Sequence, residues 1–164
     1  GYTDMKATAK VTAIVKDGAR VEAVETGDDI VFTLDRTSFY AESGGQVGDT
    51  GVITNDSCTI RVLDTTKNAA GVFIHKAVVE EGFLREGDTV EAVVDVERRR
   101  AIMRNHTAAH LLQAALRSVL GDHVEQAGQL VNENAVRFDF THFSAMTGEE
   151  LLEDEAVKKA YLGG

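Results

Sequence analysis

The chain has 164 residues, enough for one domain or two small ones, and 43% of them are hydrophobic against 27% charged, which argues against disorder. A formal net charge of −10 excludes a general polyanion binder. The sequence carries no signal-peptide pattern, its apolar runs are shorter than the roughly 20 residues that span a bilayer, and its one cysteine cannot form an internal disulfide. We therefore expect a cytoplasmic protein with no membrane partner.

Short strands separated by turn signals fill the first 95 residues. Segments in which apolar and polar residues alternate are separated by turns about every ten residues. Gly and Asp provide the turn signals, because the chain has no Pro. The connections are too short for crossover helices, so we expect antiparallel pairing in a closed barrel or a sandwich. The pair Asp17-Gly18 predicts a tight hairpin. The predicted strands cover residues 5–16, 20–25, 29–35, 57–64, 71–80 and 88–95.

The hydrophobic period changes near residue 95. Residues 96–120 contain no Gly and are rich in Leu, Ala and Arg, which favours one long helix, and Gly121 is a good stop for it. The apolar surface expected on this helix consists of Ala101, Met103, Leu112, Leu116, Val119 and Leu120.

Two strands and a second helix are predicted after the long helix. The strands are expected over 123–131 and 135–140, and Thr147 with a Glu three positions later forms a capping-box pattern that opens a helix through about Ala160. This order predicts an α+β protein with two parts. The first is a β-barrel domain over residues 1–95, and the second is an α+β domain over residues 96–164.

Two histidines stand four positions apart in the predicted long helix. His106 and His110 therefore share one face, one turn apart, where a metal ion can meet both; ordinary surface or core histidines are the alternative. Thr107 stands where HExxH metalloproteases have their Glu base, so the sequence lacks that motif. Zinc needs at least three protein ligands, and Cys58 and His75 are the obvious candidates to complete a site. For Cys58, a small buried hydrophobe is the competing interpretation.

The segment Gly44-Gly45-Gln46 lies in a predicted loop. Two adjacent glycines allow positive φ angles or a close approach of the backbone to a ligand, and an ordinary turn is the plain alternative. The Gln46 amide offers both donors and an acceptor. The segment matches neither a dinucleotide-binding loop nor a Walker loop, so nucleotide binding has no support.

A basic stripe stands near the start of the long helix, although the chain as a whole is acidic. Basic residues at a helix start oppose the helix dipole, which indicates binding to a phosphate of another molecule or to a carboxylate within the chain. A solvated helix face is the alternative. In the last predicted strand, Arg137 and Asp139 share a face, which is compatible with an ordinary cross-strand ion pair. The residues of the stripe are Arg98, Arg99, Arg100 and Arg104.

Taken in order, these pieces resemble the editing region of alanyl-tRNA synthetase, and they are also similar to free-standing proteins that deacylate mischarged alanine tRNA. The editing domain of threonyl-tRNA synthetase shares the histidine part but lacks the Gly-Gly-Gln barrel. The resemblance covers nearly the whole chain. Its matching segments are TSFYAESGGQVGDTG (37–51), EGDTVEAVVDVERRRAIMRNHTAAHLL (86–112) and QAGQLVNENAVRFDFTHFSAMTGEEL (126–151).

The resemblance implies a barrel like those of translation factors, followed by an α+β domain of the type shared by the threonyl and alanyl synthetases, with a pocket between them. By the same resemblance, His106 and His110 are zinc ligands and Gln46 is the catalytic pocket residue. Gly44, Gly45 and Arg137 join Gln46 as expected substrate-binding residues, and the arginine stripe is expected to bind tRNA.

The resemblance also implies zinc in the intact enzyme, held further by a later Cys-x-x-x-His motif. The sequence stops at Gly164, before any such motif. We therefore expect a truncated fragment with half of its zinc site, in which zinc is weakly bound or missing. Sequence motifs for ATP binding and alanine activation are not found either, so the ligase half is expected elsewhere.

The resemblance implies hydrolysis of serine or glycine mischarged onto alanine tRNA. The expected partners are the acceptor end of that tRNA and the remaining domains of the synthetase. Two alternatives stay open for the fragment: an inactive, metal-free module that contacts tRNA, and a structural barrel that only joins neighbouring domains.

Overall fold

The computed structural model of the chain describes residues 5–123 and 125–140, which form ten strands and one helix. The helix predicted to begin near Thr147 lies outside the described residues. Within the described part, no helix is both long and apolar enough to cross a membrane. The elements are β1 (Lys6–Lys16), β2 (Ala19–Val21), β3 (Ala23–Glu25), β4 (Asp29–Leu34), β5 (Gly51–Asn55), β6 (Cys58–Lys67), β7 (Phe73–Arg85), β8 (Thr89–Val94), α1 (Val96–Leu120), β9 (Gln126–Val131) and β10 (Val136–Phe140).

The described residues divide into two compact units. The first, called here the barrel unit, contains residues up to 43 and 47–99. The second, the helix–hairpin unit, contains residues 44–46 and those from 100 onward. Helix α1 thus begins in the barrel unit, and the Gly-Gly-Gln segment belongs to the helix–hairpin unit. The predicted domain boundary near residue 95 rests on a change of hydrophobic period and stays a prediction.

Six strands close the barrel. They pair in the order β1, β4, β7, β6, β5 and β8, and β8 pairs back onto β1. Every pairing in this ring is antiparallel, as predicted. Closure leaves the ring without an unpaired edge, which decides between the predicted barrel and the predicted sandwich.

The predicted hairpin at Asp17-Gly18 is confirmed. Lys16 pairs with Ala19, and Asp17 and Gly18 have φ angles of 52° and 77°, so both central residues adopt positive φ as a type I′ turn requires. The strand predicted over 20–25 is in fact two strands, because β2 pairs with β1 whereas β3 pairs with β7.

Strand β5 was not predicted, because Gly51 looks like the end of a glycine-rich loop. The structure pairs β5 with both β6 and β8. A Cβ at Gly51 would lie 2.2 Å from the Val93 carbonyl oxygen, so this glycine permits close packing inside the barrel wall. Ile53 in the same strand is wholly buried.

The barrel core is built mainly from alternate residues along each strand, which face inward as the period of two predicts. Burial of these side chains provides the main favourable contribution to folding of this unit. The buried core consists of Val11, Ile14, Val24, Ile30, Phe32, Phe39, Ile53, Cys58, Ile60, Val62, Ala77, Val79, Leu84, Val90, Ala92 and Val94.

Helix α1 begins and ends where the sequence predicts. The Asp95 carboxylate accepts the Arg98 backbone N–H (3.0 Å) and caps the first turn, and Gly121 follows the last turn with a φ of 114°. The expectation that Met103 faces the interior is wrong, since it is 53% exposed. Ile102 takes that place, because it lies seven residues before Ala109 and so shares its face. The buried face contains Ile102, Ala109, Leu112, Ala115, Leu116 and Leu120.

Strands β9 and β10 are the two strands predicted after the helix, and the structure pairs them as an antiparallel hairpin. Val131 pairs with Val136, and Asn132 begins the connection between the two strands. The Asn132 side-chain oxygen accepts backbone N–H groups of Asn134 and Ala135 at 2.9 Å each, which fixes the turn.

Candidate functional site

The Gly-Gly-Gln segment lies against strand β9. The Val131 N–H donates to the Gly45 carbonyl at 2.7 Å, and Gln46 forms a parallel bridge with Val131. The Gln129 side-chain amide donates to the Gly44 carbonyl at 3.4 Å. The segment therefore extends the hairpin by one short pairing, and its backbone is fixed within the helix–hairpin unit.

The two glycines of this segment have different roles. Gly45 has a φ of 85°, and a Cβ on it would lie 2.1 Å from the Gln129 carbonyl oxygen. Gly44 also has a positive φ, 58°, but a Cβ there would meet nothing within 4 Å. Gly45 is needed for a close approach of two backbones, whereas Gly44 is needed for its conformation alone.

His106 and His110 stack on one face of α1. Their ring centroids are 4.7 Å apart and their planes differ by 19°. His106 is half-buried and His110 is exposed. The predicted sharing of one helix face follows from the spacing of four residues.

Gln46 and His106 are in direct contact. The Gln46 Oε1 atom lies 2.5 Å from His106 Nδ1. Whether the ring nitrogen or the amide donates in this contact is set by the tautomer of the imidazole and by the orientation of the amide. Next to it on the helix, Asn105 donates from its side chain to the Asn132 carbonyl at 2.6 Å. Three segments of the helix–hairpin unit thus meet at one place: the Gly-Gly-Gln segment, α1 and the hairpin.

The described residues alone do not complete a metal site. Within them, no group of three or more His, Cys, Asp or Glu side chains is arranged to hold an ion. His106 and His110 supply two donors, and structural zinc takes four while catalytic zinc takes three. His106 and His110 would therefore hold a metal ion only together with donors outside the described residues.

His75 and Cys58 belong to the barrel core, and the suggestion that they complete the metal site is wrong for His75. Its Nδ1 donates to the Phe32 carbonyl (3.1 Å), and its Nε2 accepts from the Thr37 hydroxyl (2.9 Å), so both nitrogens are occupied. Burial lowers the pKa of His75 to about 4, which keeps the ring neutral. Cys58 is 5% exposed, and burial raises the pKa of its thiol. The side chain therefore stays protonated and packs in the core as a small hydrophobic residue.

Two arginines of the basic stripe bind the barrel unit itself. Arg99 donates to the Asp49 carboxylate from Nε (2.9 Å) and Nη2, and also to the Ser38 carbonyl (2.7 Å). The Arg99 and Asp49 side chains are 14% and 4% exposed. Arg98 donates to the Gly48 carbonyl at 2.9 Å. For Arg99 the structure therefore shows the internal carboxylate partner that the sequence left as one alternative.

The other basic candidates are more accessible. Arg100 and Arg104 are exposed on α1. Arg137 pairs with Asp139 at 3.0 Å, and these side chains are 70% and 49% exposed. The pair joins two residues of one strand rather than facing residues of two strands, because alternate residues of a strand share a face.

Sequence reasoning missed the supporting residues of this site. Asn105, Gln129 and Asn132 hold the segments together, yet single polar residues beside a motif give no signal of their partners. Asp49 had a weak signal, since it is an acidic residue within the glycine-rich loop of a chain whose basic stripe needs a counter-charge.

The chain belongs to the family of class II (A) tRNA synthetases. Residues 1–98, more than half of the chain, match the model of that family.

The particular relatives are alanine–tRNA ligases. The ligase of Acetivibrio thermocellus is 52% identical over 161 residues, which cover 97% of this chain and 18% of the ligase. The ligase of Bordetella avium is 49% identical over 161 residues, and that of Thermoanaerobacter sp. strain X514 is 48% identical over 163, each covering 98% of this chain and 18% of the relative. The predicted resemblance to alanyl-tRNA synthetase is confirmed, and the chain spans about 18% of the length of these relatives.

Proposed function

We propose that this chain is the editing portion of an alanine–tRNA ligase. In this role it hydrolyses the ester that joins serine or glycine to the 3′ end of alanine tRNA. The observation that carries the proposal is the contact between Gln46 and His106, since it unites the two motifs on which the editing resemblance rests. Alanine tRNA is proposed as the substrate because the relatives are alanine–tRNA ligases.

A second site of this kind has a physical reason. A pocket that accepts alanine excludes the smaller glycine poorly, since one methylene group is worth only about 1–3 kcal/mol. Serine is distinguished from alanine by a hydroxyl, which a site with polar groups can bind while leaving the alanine methyl without a partner. The amide of Gln46 and the accessible ring of His110 are polar groups of this type.

Each remaining predicted residue has a place in this proposal. Arg100 and Arg104 are the arginines of the stripe that we assign to tRNA phosphates, because both are exposed on α1. Arg137 is exposed enough to reach a substrate. Gly44 and Gly45 shape the backbone that presents Gln46.

Zinc belongs to the proposal as a group held by His106 and His110 together with donors outside the described residues. A bound zinc ion would lower the pKa of a water or polarise the ester carbonyl. The part of the protein described here contributes the two imidazoles and the amide that contacts one of them.

The test is a deacylation assay on seryl- and glycyl-tRNA. It uses the 164-residue chain and the Acetivibrio thermocellus ligase in which the matching segment is replaced by this chain. We expect Gln46→Ala and His110→Ala to slow hydrolysis by the hybrid ligase at least about tenfold while alanylation stays intact. His123→Gln, which changes a histidine beyond the end of α1, is the control. Equal loss of hydrolysis and alanylation in the Gln46 variant would contradict the proposal.

A second candidate function is a tRNA-contacting module without metal or turnover. The observation that favours it is that the described residues bring together only two metal donors, His106 and His110, whereas a zinc site needs at least three. Binding to alanine tRNA that weakens steeply with salt, without deacylation by the hybrid ligase, would support this candidate. Undetectable tRNA binding at low salt would instead support a purely structural barrel.

A further inference from the structure

We propose that Gln46 is a positioning residue that acts through His106. Its side-chain carbonyl holds the proton on Nδ1 of that imidazole and keeps the Nε2 lone pair open for the zinc ion that the proposed function gives to His106. This inference rests on the proposed function and gives Gln46 a role within it. The competing role is direct contact between the Gln46 amide and the ester or water.

The chemistry of the contact between Gln46 and His106 supports this role. A neutral imidazole has one N–H and one lone pair, and the hydrogen bond made by one nitrogen decides the state of the other. At 2.5 Å from Nδ1, the Gln46 oxygen selects the form protonated there. No described residue forms a hydrogen bond with Nε2 of His106, so that nitrogen is the one available to a metal ion.

The backbones on both sides of this contact are held in place. The Gly45 carbonyl is fixed by the Val131 N–H at 2.7 Å, and Gly45 leaves no room for a Cβ against Gln129. On the other side of the contact, Asn105 ties α1 to the Asn132 carbonyl. A contact between two anchored backbones loses little conformational entropy when it forms, so it can dictate the tautomer.

The opposite orientation of the Gln46 amide would have a different and measurable result. If the Gln46 amide were turned over, its NH₂ group would donate to Nδ1 and the ring proton would sit on Nε2. The two arrangements place the lone pair on different nitrogens, so the tautomer itself reports which one exists.

The test is a long-range ¹H–¹⁵N correlation spectrum of the histidine rings in the full 164-residue chain, recorded about two pH units above the ordinary histidine pKa of about 6.5. Protonated and unprotonated ring nitrogens have well-separated ¹⁵N shifts. We expect the Nδ1–H form to dominate at His106. Gln46→Ala is expected to lower the ratio of Nδ1–H to Nε2–H forms about tenfold, because the variant loses the one hydrogen bond that favours the Nδ1–H form.

Two further variants separate this role from a structural one. Gln46→Glu keeps an acceptor at the same place and is expected to retain the Nδ1–H form. Gln113→Ala removes a glutamine of α1 itself and is expected to leave His106 unchanged. The exposed ring of His110 is an internal reference in every spectrum. An Nε2–H form at His106 in the unaltered chain would overturn the inference, even if a variant fails to fold.

The inference and the proposed function fail in different experiments. An unchanged tautomer in Gln46→Ala, in a chain whose backbone spectrum is otherwise intact, overturns the positioning role and leaves editing standing. A hybrid ligase that never hydrolyses seryl-tRNA overturns editing and leaves the tautomer result as it is.

Discussion

The barrel unit and the helix–hairpin unit use histidine in opposite ways. In the barrel, His75 is wholly buried, stacks on Phe32 and has both nitrogens bonded to barrel groups. In the helix–hairpin unit, His106 is half-buried and its one described hydrogen bond is to Gln46. The difference shows that the partners of a polar side chain, rather than its type, decide whether it stabilises a core or is available for chemistry.

The arginines repeat this contrast. Arg99 is 14% exposed and its carboxylate partner is almost completely buried, whereas Arg137 is 70% exposed and pairs with an accessible Asp139. Substitutions in the barrel unit should therefore change stability, and substitutions at the exposed groups of the other unit should change activity.

Removal of the buried cation should have the largest effect. Arg99→Met leaves the Asp49 carboxylate buried without its partner, and the free energy of unfolding should fall by about 3–5 kcal/mol. Urea denaturation measures the change. Arg20→Met, which breaks the exposed pair with Glu86, is the control and should have a much smaller effect. Similar losses in the two variants would contradict the assignment.

The buried imidazole predicts a pH dependence of stability. His75 has a pKa of about 4 in the folded protein and 6.5 as an ordinary histidine, so the unfolded chain binds more protons between these values. Stability attributable to His75 should therefore fall as the pH drops from about 6.5 to 4, by up to about 3 kcal/mol.

The measurement is urea denaturation across this pH window. His75→Gln should lose this part of the pH dependence, and His123→Gln should keep it. The same slope in the unaltered chain and in His75→Gln would show that the buried ring does not titrate as described.

Two neighbouring glycines give a smaller and closely matched comparison. Gly45→Ala brings a Cβ against the Gln129 carbonyl, so it should cost about 1–3 kcal/mol more unfolding free energy than Gly44→Ala, which meets only the cost of its positive φ. The Gly45 variant should also release Gln46 from His106 and shift the His106 tautomer. Equal stability of the two variants would argue against the close approach.

The smallest effect on stability is expected at the exposed ion pair. Arg137→Ala should change the free energy of unfolding by less than about 0.5 kcal/mol, because exposed pairs contribute little. Hydrolysis of seryl-tRNA by the hybrid ligase should nevertheless slow about tenfold if this side chain binds substrate. A stability loss with unchanged hydrolysis would give Arg137 a structural role.

Most of the fold could be predicted from local patterns. The alternation of β1, the Asp17-Gly18 turn and the limits of α1 depend on residues close together in sequence, and all are confirmed. Strand β5 was missed because Gly51 is explained only by its packing against Val93, which is distant in sequence. Met103 was misplaced because apolar character alone does not say which of two adjacent helix positions faces inward.

The candidate site was predictable only in its motifs. The histidine spacing and the glycine pair stand out in the sequence, but the bond from His106 to Gln46 joins residues 60 positions apart. The internal use of Arg99 was open for the same reason, since its partner Asp49 lies 50 positions away. A sequence shows which side chains can do chemistry, and long-range pairing decides which of them are already occupied.

The most direct test of the central claim is a double-variant comparison of seryl-tRNA hydrolysis by the hybrid ligase. Gln46→Ala, His106→Ala and both together are measured with alanylation as the control. If Gln46 and His106 act as one unit, the double variant should be about as slow as the slower single variant. If the two losses multiply, the residues act independently and the account is wrong.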